Sequence, residues 1–522
     1  MKDFDQITFE EKLGQLLVIG FKGLNLTDDI KEMIKKYKFG NFILYSRNYH
    51  TLEQFEKLVR DLHDEVIKSI GIMPFICIDQ EGGRVTRITH KSTVYPGPMT
   101  LSATDNYSNV QTIGHMMGKH LMALGINVNL APILDININP KNPVIGIRSF
   151  SDNVDVVSKY GIELIKDMQE EGIIATAKHF PGHGDTENDS HLGIPILPFD
   201  QKRIYNIELK PFKDAIKNGV DNIMTGHIIF QEIDKDNPAT TSERIIKKLI
   251  RDEFKYQGLI TADCMEMKGI SEGISTPIGV VKAIKAGNDL VLVCNTKSKQ
   301  IDSLNKIKQF IEDNLIAIDE IDDRVKRILK YKNKVYSIMK EKYFKNQNNL
   351  QIFKDDQEKI FIKSIVDSSL TFISGKNLEL KGKILLYWCH ELFVNIAGED
   401  LTFGDLLNKE ITTITSKEYN IDEYSIELIK ISHDFDTVIF LSFNACLNNN
   451  QIKMINEIKS ICSNFFVISI NNPYDYLCLK GDINFYTMYE PTLNSMKTII
   501  KFLKGEIEPK GHLPIKLKNI DI

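Results

Sequence analysis

The sequence predicts an α/β protein with an N-terminal (β/α)8 TIM-type barrel and a C-terminal α/β sandwich domain. Three observations predict this fold. The chain has 522 residues, which is too long for one compact core. Eight short runs rich in β-branched residues alternate with helical stretches over roughly the first 300 residues, and a shorter series of such runs follows a polar stretch. Strands that alternate with helices form parallel sheets, and eight such units are what a closed barrel requires.

Each of the eight predicted strands is followed by the apolar spacing of an amphipathic helix. The strands are LLVIGF (16–21), NFILYS (41–46), PFICID (74–79), NVNLAPILD (127–135), IIATAKHF (173–180), NIMTGHI (222–228), GLITAD (258–263) and DLVLVC (289–294). An open doubly wound sheet would show the same alternation but has no reason to stop at eight. Polar residues lie at or just beyond the strand ends, namely Asp79, Asp135, Lys178, His179, His227 and Asp263. In a barrel those ends meet at one mouth, where active sites are built.

The domain boundaries follow from changes in composition. We expect a catalytic barrel over residues 1–342, a linker and connecting helix over 343–375, and the sandwich domain over 376–522. The charged helical run 302–339 closes the barrel, and the polar stretch YFKNQNNLQ (343–351) is typical of a linker. Later strands are predicted at KILLYW (383–388), DTVIFLSF (436–443), FFVISI (465–470) and NFYTMY (484–489).

Composition excludes several functional classes. Hydrophobic residues at 42% and charged residues at 26% are typical of a soluble globular protein. A net charge of −5 gives no general attraction to nucleic acid or to anionic membranes. No segment is long and apolar enough to cross a bilayer, and the N-terminus lacks the pattern of a signal peptide. The seven cysteines are an odd number, several within apolar runs, which predicts reduced core residues of a cytoplasmic protein.

The stretch KHFPGHGDTENDSH (178–191) is dense in functional side chains. His179 and His183 have the i, i+4 spacing of a helical zinc pair, but Pro181 and two glycines predict a turn. A helical metal site is therefore excluded, a loop-borne site is not, and metal binding is the weaker interpretation. For His183 we favour a packed loop histidine whose ring nitrogens bond neighbouring backbone.

Asp189 and His191 have a spacing that suits proton transfer. The carboxylate can accept a hydrogen bond from one imidazole nitrogen, which fixes the tautomer and raises the basicity of the other nitrogen. The same spacing suits a loop cap or a surface pair, and spacing alone does not separate these interpretations. Lys178 and His179 end a strand at the mouth. Because a buried lysine without a function is costly, they indicate a substrate rich in hydroxyl groups.

Asp263 supplies a carboxylate at the end of the seventh predicted strand. A carboxylate nucleophile with a separate proton donor is the arrangement of retaining glycoside hydrolysis, in which a covalent glycosyl-enzyme forms and is hydrolysed. A strand-end aspartate can also cap the next helix, which begins near Cys264. The sequence leaves both interpretations open.

Six motifs resemble glycoside hydrolase family 3, specifically the two-domain bacterial β-N-acetylglucosaminidases of cell-wall recycling. They are IDQEGGRVTRI (78–88), YPGPMTLSA (95–103), NPVIGIRSF (142–150), KHFPGHGDTENDSH (178–191), IMTGHI (223–228) and GLITADCMEM (258–267). The resemblance covers about residues 6–340. More weakly, NNPYDY (471–476), YEPTLNSM (489–496) and GEIEPKGHLPIKL (505–517) are similar to the family's C-terminal domain.

The resemblance implies a role for each matching residue. Asp263 is implied as the nucleophile, His191 as the general acid/base and Asp189 as the group that orients it. The implied contacts to the terminal sugar are Asp79, Arg87, Arg148, Lys178 and His179. The D-x-H loop is found in the acetamido-sugar enzymes and not in the family's β-glucosidases, so it implies a 2-acetamido substrate. Cys264 stands where the family often has a second aspartate, a departure that bears on local hydrogen bonds.

The function implied is a retaining exo-β-N-acetylhexosaminidase that removes N-acetylglucosamine from the non-reducing end of peptidoglycan-derived saccharides or muropeptides, without metal or cofactor. We expect a cytoplasmic monomer or weak homo-oligomer with no nucleic-acid or membrane partner. Three alternatives stay open: a phosphorylase, a β-glucosidase of the same family, and a non-catalytic sugar-binding protein. The last has weak support, because binding alone would not require Asp189, His191 and Asp263.

Overall fold

A computed structural model describes residues 1–89, 92–187, 193–346, 348–389 and 402–517. The chain forms two compact units, each built from three segments. The first comprises Met1–Gln80, Val110–Ile136 and Val157–Asp355, and the second comprises Glu81–Asn109, Asn137–Val156 and Asp356–Ile522. Two segments that lie between barrel strands in the sequence therefore group with the C-terminal part of the chain. The domain boundaries at 342 and 376 stay predictions.

The first unit contains a closed barrel of eight parallel strands, as the sequence predicts. The strands are β1 (Leu17–Ile19), β2 (Asn41–Leu44), β3 (Phe75–Ile78), β4 (Val128–Asn129), β5 (Ile174–Phe180), β6 (Asn222–Thr225), β7 (Leu259–Ala262) and β8 (Leu290–Val293). They follow one another in sequence order, and β8 pairs with β1 to close the barrel. Each strand lies within one of the eight predicted runs. Every strand residue is buried, which explains their continuous apolar sequences.

Helices connect these strands. The α-helices up to residue 355 are α1 (Phe9–Gly14), α2 (Asp28–Tyr37), α3 (Leu52–Ile70), α4 (Pro98–Ala103), α5 (Tyr107–Ala123), α6 (Val154–Glu170), α7 (Gln201–Asn206), α8 (Lys210–Lys217), α9 (Lys268–Ser271), α10 (Thr276–Ala286), α11 (Lys297–Glu312) and α12 (Ile318–Met339), with a π-helix at Arg244–Glu253. Helix α3 is typical: Thr51 caps its start, its buried side chains recur at helical spacing, and Gly71 ends it at a φ of 80°. Among the described residues, no helix combines the length and apolarity needed to cross a membrane.

A six-stranded sheet forms the core of the second unit. Its strands are β9 (Thr371–Ser374), β10 (Ile384–Cys389), β11 (Ile414–Tyr419), β12 (Thr437–Ser442), β13 (Phe465–Ser469) and β14 (Asn484–Thr487), in the order β9-β14-β13-β12-β10-β11. Only β9 is antiparallel to its neighbour. The helices of this part are α13 (Asp356–Ser369), α14 (Phe403–Glu410), α15 (Ile426–Ile431), α16 (Asn449–Ile461) and α17 (Leu493–Leu503). The α/β fold class is confirmed, although the edge strands β9 and β11 were not predicted.

The prediction that all cysteines are reduced was wrong for one pair. Cys446 and Cys478 form a disulfide. They lie in turns that follow β12 and β13, two paired parallel strands. The pairing therefore brings together two residues that are 32 positions apart, which their sequence positions did not indicate. The other five cysteines are buried thiols, as predicted.

Candidate active site

The functional side chains of the barrel unit lie at the C-terminal ends of its strands. Asp79 directly follows β3 and Asp263 directly follows β7, whereas Lys178 and His179 lie near the C-terminal end of β5. Asp135 lies beyond the end of β4. A bridge between Ile133 and Lys178, with a 2.7 Å hydrogen bond from the Leu134 N–H to the Lys178 carbonyl, holds that segment beside β5. The closed parallel barrel thus assembles these groups at one rim.

Asp135 is the centre of a buried hydrogen-bond network. Its Oδ2 lies 2.8 Å from His179 Nδ1, and its Oδ1 accepts a 2.6 Å hydrogen bond from the His183 N–H. The His179 N–H also approaches both carboxylate oxygens, at 3.2 and 3.3 Å. Burial on its own would raise the pKa of Asp135, but the charges and hydrogen bonds of the two histidines outweigh it and lower that pKa. The ionised carboxylate therefore holds a proton on His179 Nδ1 and fixes the ring.

The segment after β5 is a turn that depends on glycine, as the sequence indicates. Gly182 adopts a φ of 136°, and a Cβ on Gly184 would lie only 1.8 Å from the Ile136 carbonyl oxygen. Both positions therefore require glycine. The His183 ring is buried, and its Nδ1 lies 2.7 Å from the Thr186 hydroxyl. His183 is a packed loop histidine as favoured, and its ring contacts the Thr186 side chain.

Lys178 forms a buried ion pair with Asp79. Its Nζ lies 2.9 Å from Asp79 Oδ1, and only 3% of the lysine side chain is exposed. The aspartate compensates a charge whose burial would otherwise be costly. The pair joins strands β3 and β5 at the rim and combines the donor and acceptor groups that sugar hydroxyls require.

Asp263 is held as an anion by its surroundings. Its Oδ1 accepts a 2.6 Å hydrogen bond from the Cys264 N–H. Burial would raise the pKa of Asp263, but the nearby His227 and His179, this hydrogen bond and Lys178 lower it below its ordinary 3.8. His227 also fixes the backbone here, because its Nε2 lies 3.0 Å from the Cys264 carbonyl and its Nδ1 lies 2.6 Å from the Thr240 hydroxyl. An ionised carboxylate at a barrel mouth is suited to nucleophilic attack.

Asp189 and His191 lie outside the described residues, so their predicted roles stay predictions. The described part of the same loop is anchored on its N-terminal side. Arg203 forms ion pairs with Asp185 and with Glu208, the second at 3.3 Å.

Arg87 and Arg148 belong to the second unit, and their predicted contacts to sugar stay predictions. Arg148 donates two hydrogen bonds to Glu81, at 2.9 Å from Nε and 2.8 Å from Nη2. Two parallel bonds of this kind fix a guanidinium in one orientation. Arg87 is half-buried.

Three residues that contact the predicted groups or their neighbours were not assigned roles from the sequence, namely Asp135 and His227 in the first unit and Glu81 in the second. Asp135 and His227 were visible as strand-end polar residues, but a partner elsewhere in the sequence gives each its role. His179 is 44 positions from Asp135, and Cys264 is 37 positions from His227. Glu81 sits in the motif IDQEGGRVTRI (78–88), and its pairing with Arg148 over 67 positions had no local signal.

Comparison with known proteins agrees with this geometry. The model of the glycosyl hydrolase family 3 N-terminal domain matches residues 8–331. The chain belongs to glycosyl hydrolase family 3. The predicted family resemblance is therefore confirmed, and this family 3 member is a glycoside hydrolase.

The relatives that are similar to this family 3 chain differ in the share of their own length that the similarity covers. It is 33% identical over 371 residues to β-hexosaminidase A of Pseudoalteromonas piscicida, covering 63% of this chain and only 62% of that relative's length. It is 33% identical over 324 residues to the β-hexosaminidase of Idiomarina loihiensis, covering 61% of this chain and 94% of that protein. The structure of a family 3 β-N-acetylglucosaminidase from Paenibacillus sp. FPU-7 superposes with a TM-score of 0.91 at 32% identity, covering 98% of this chain and 100% of that one.

Proposed function

We propose that this family 3 protein is a retaining exo-β-N-acetylglucosaminidase that acts on peptidoglycan-derived saccharides and muropeptides of the GlcNAc-MurNAc type. The observation that carries the proposal is the position of Asp263 at a strand-end rim that also holds Lys178, Asp79 and His179, where neighbouring charges lower the pKa of Asp263. The β-hexosaminidase names of the relatives support an acetamido-sugar substrate.

In the proposed first step, Asp263 attacks the anomeric carbon of the terminal sugar. The glycosidic bond breaks, and His191 gives its proton to the departing oxygen, leaving a glycosyl-aspartate ester. In the second step, His191 takes a proton from water as the water attacks the same carbon and releases Asp263. Two inversions retain the configuration. Asp189 orients the imidazole and stabilises its charged form.

We assign recognition of the terminal sugar to five residues: Asp79, Arg87, Arg148, Lys178 and His179. The buried Lys178–Asp79 pair and the clamp of Asp135 on His179 support this assignment, because a preorganised donor loses little freedom when a hydroxyl binds. No metal ion or cofactor is needed, since Asp263 and His191 supply the nucleophile and the proton transfer. Activity is expected to survive exhaustive chelation, and activity that is lost and then restored by zinc would contradict this.

The proposal places the protein in the cytoplasm as a monomer or weak homo-oligomer, without a nucleic-acid or membrane partner. The five buried thiols support a reducing compartment, whereas the Cys446–Cys478 disulfide is typical of an oxidising one. Thiol labelling before and after cell lysis would decide the location. Alkylation of Cys446 and Cys478 inside intact cells would mean that this disulfide is reduced there, as expected for a cytoplasmic protein, whereas labelling only after added reductant would contradict that location.

A substrate panel tests the proposed reaction. Aryl β-N-acetylglucosaminide and a GlcNAc-MurNAc disaccharide should be cleaved, and aryl β-glucoside should react roughly 100-fold more slowly, because it lacks the acetamido group. Added phosphate should leave the product unchanged. A sugar 1-phosphate would identify a phosphorylase, preference for the glucoside would identify a β-glucosidase, and binding without turnover would indicate a sugar-binding protein.

Leaving-group dependence tests the acid/base assignment. His191→Ala should lose far more activity on the disaccharide than on aryl glycosides, whose departure needs little protonation. Asp189→Ala should act in the same direction but more mildly, because the imidazole remains. On activated substrates the covalent intermediate should accumulate in the His191 variant. Equal losses on good and poor leaving groups would show that this loop only positions substrate.

A further inference from the structure

Helices α5 and α6 bring together four ionisable side chains, none of which belongs to the site above. His115 lies on α5, Asp167 and Glu170 lie on α6, and Glu171 follows α6 directly. His115 Nε2 is 3.3 Å from Asp167 Oδ1 and 3.8 Å from Glu170 Oε2. We propose that His115, Asp167 and Glu170 bind a zinc-class divalent cation that links α5 to α6.

The distance from His115 Nε2 to Asp167 Oδ1 matches the separation of two ligands around one ion. A charge-assisted N–H···O bond is about 2.7–2.9 Å long, shorter than either distance from His115 Nε2. Zinc binds imidazole nitrogen and carboxylate oxygen at about 2.0–2.2 Å, so two ligands of a tetrahedral ion lie about 3.3–3.6 Å apart. One potential ligand atom from each residue lies within 4.8 Å of the other two. Small rotations of the side chains would bring all three to one ion.

Asp167 supplies an independent reason to expect a ligand. Only 6% of its side chain is exposed, and its Oδ2 is buried with no hydrogen-bond partner among the described residues. A buried carboxylate oxygen without a partner is costly. A cation coordinated by this carboxylate would offset that cost. The approach depends on Gly114, next to His115, because a Cβ there would lie 2.9 Å from Asp167 Oδ2.

Glu171 stands behind the proposed ligand. Its Oε1 is 3.4 Å from His115 Nδ1, on the side of the ring away from the other two carboxylates. Histidines that bind metal through one nitrogen commonly donate the other N–H to a carboxylate, which fixes the tautomer. The other oxygen of Glu171 accepts a 2.8 Å hydrogen bond from Lys342 Nζ. Glu171 is therefore a positioning residue rather than a ligand.

The donor set determines the class of cation. An imidazole with two carboxylates suits zinc, cobalt or nickel, whereas magnesium and calcium prefer oxygen ligands alone. The side chains of His115 and Glu170 are 38% and 68% exposed, so solvent can deliver the ion and water can complete its coordination. The proposed ion is structural, and it takes no part in the chemistry at Asp263.

Calorimetric titration of the metal-stripped full-length protein with ZnCl2 tests the site, with Co²⁺ absorption as a second readout. Wild type should bind Zn²⁺ saturably, and the cation should raise its Tm because it binds only the folded state. His115→Ala and Glu170→Gln should each remove this binding or weaken it by at least about tenfold. His50→Ala is the matched control, since His50 is an exposed histidine of the same unit, and it should bind as wild type does.

A second pair of variants tests the positioning role. Glu171→Gln should weaken zinc binding by roughly tenfold. Lys342→Met also breaks the Glu171–Lys342 ion pair but keeps the carboxylate beside His115, so it should leave zinc affinity unchanged. Equal effects would show that the ion pair, not the histidine contact, matters. Zinc binding that is absent in wild type, or unchanged in His115→Ala, would overturn the site. If His115→Ala does not fold, Glu170→Gln decides, because its side chain is mostly exposed. The zinc site would also be overturned if Mg²⁺ bound as tightly as Zn²⁺ and His115→Ala left that Mg²⁺ binding unchanged.

Discussion

In the barrel unit, Asp135 and Asp263 lie beside histidines, whereas in the second unit Asp475 and Glu490 are buried among hydroxyl and amide groups. Glu490 accepts hydrogen bonds from the Gly97 N–H and the Thr100 hydroxyl at 2.7 Å each, and from the Thr492 hydroxyl at 2.8 Å. Burial raises the pKa of Glu490 and of Asp475 despite their hydrogen bonds. Burial acts in the same direction on Asp135 and Asp263, but the neighbouring histidines reverse it.

The contrast separates two uses of a buried carboxylate. Neutral donors satisfy its oxygens and build structure, but they do not compensate the cost of charge. Neighbouring histidines favour its ionised form, which nucleophilic chemistry requires. Among these four buried carboxylates, the direction of the pKa shift therefore separates Asp135 and Asp263 from Asp475 and Glu490.

The largest expected effect comes from the same chemical change made in both units. Asp263→Asn should lower kcat on an aryl β-N-acetylglucosaminide by roughly 10⁴-fold or more, because the amide cannot act as the nucleophile. Glu490→Gln, the matched control, should change kcat by less than about twofold, because the hydrogen bonds described for Glu490 join Gly97, Thr100 and Thr492, none of which is a predicted site residue. Steady-state kinetics on both variants, with urea unfolding to verify the fold, measures the difference. Comparable losses of kcat in Asp263→Asn and Glu490→Gln would show that the two carboxylates do not differ in function.

The next effect concerns the network around Asp135. Asp135→Ala leaves His179 and the His183 N–H without their carboxylate partner, and should lower the free energy of unfolding by roughly 3–5 kcal/mol. Asp135→Asn keeps an acceptor oxygen and should cost less. Because the folded pKa of Asp135 lies below 3.8, its contribution is present above that pH and is lost as pH falls through the folded value. Urea unfolding at several pH values measures both effects, and an Asp135→Ala loss that stays constant down to pH 2 would contradict the assignment.

Removing Glu490 should have a smaller effect than removing Asp135. Glu490→Ala leaves one backbone N–H and two hydroxyls without their acceptor, at a cost of roughly 2–3 kcal/mol, because hydroxyls can rotate toward other groups. Activity of the folded fraction should not change. Thermal unfolding followed alongside activity tests this. A fall in kcat at full folding would mean that this carboxylate serves the active site.

The barrel was predictable because its strands carry their own signal. A short parallel strand buried on both faces is a continuous apolar run, and each of the eight runs is followed by a helical period. The edge strands β9 and β11 lack that signal. Residues Phe372 and Lys417 are among the exposed or half-exposed positions of these edges, so their sequences resemble loops.

The candidate site was predictable by position and only partly by role. Strand ends converge in any barrel, so Asp79, Lys178 and Asp263 could be placed together from the sequence. The clamp of Asp135 on His179 could not be predicted, since a strand-end aspartate is indistinguishable from a helix cap until its partner is known. The Cys446–Cys478 disulfide could not be predicted either, because the pairing of strands, and not the spacing in the sequence, brings the two sulfurs together.

The smallest expected effect sharpens the comparison through the pH dependence of stability. The folded pKa of Glu490 lies above its ordinary value of 4.5, so between these two values the folded state binds more protons than the unfolded state. The free energy of unfolding therefore falls as pH rises through that window. Glu490→Gln removes the titration while keeping an acceptor for Gly97 and Thr100, and a donor that Thr492 can accept. The variant should gain stability relative to wild type as pH rises above 4.5, by on the order of 1 kcal/mol. Urea midpoints of the two proteins across this range measure the gain. A stability difference between the two proteins that does not change with pH would show that Glu490 keeps its ordinary pKa. The buried carboxylates of the two units would then not differ in the way their neighbours indicate.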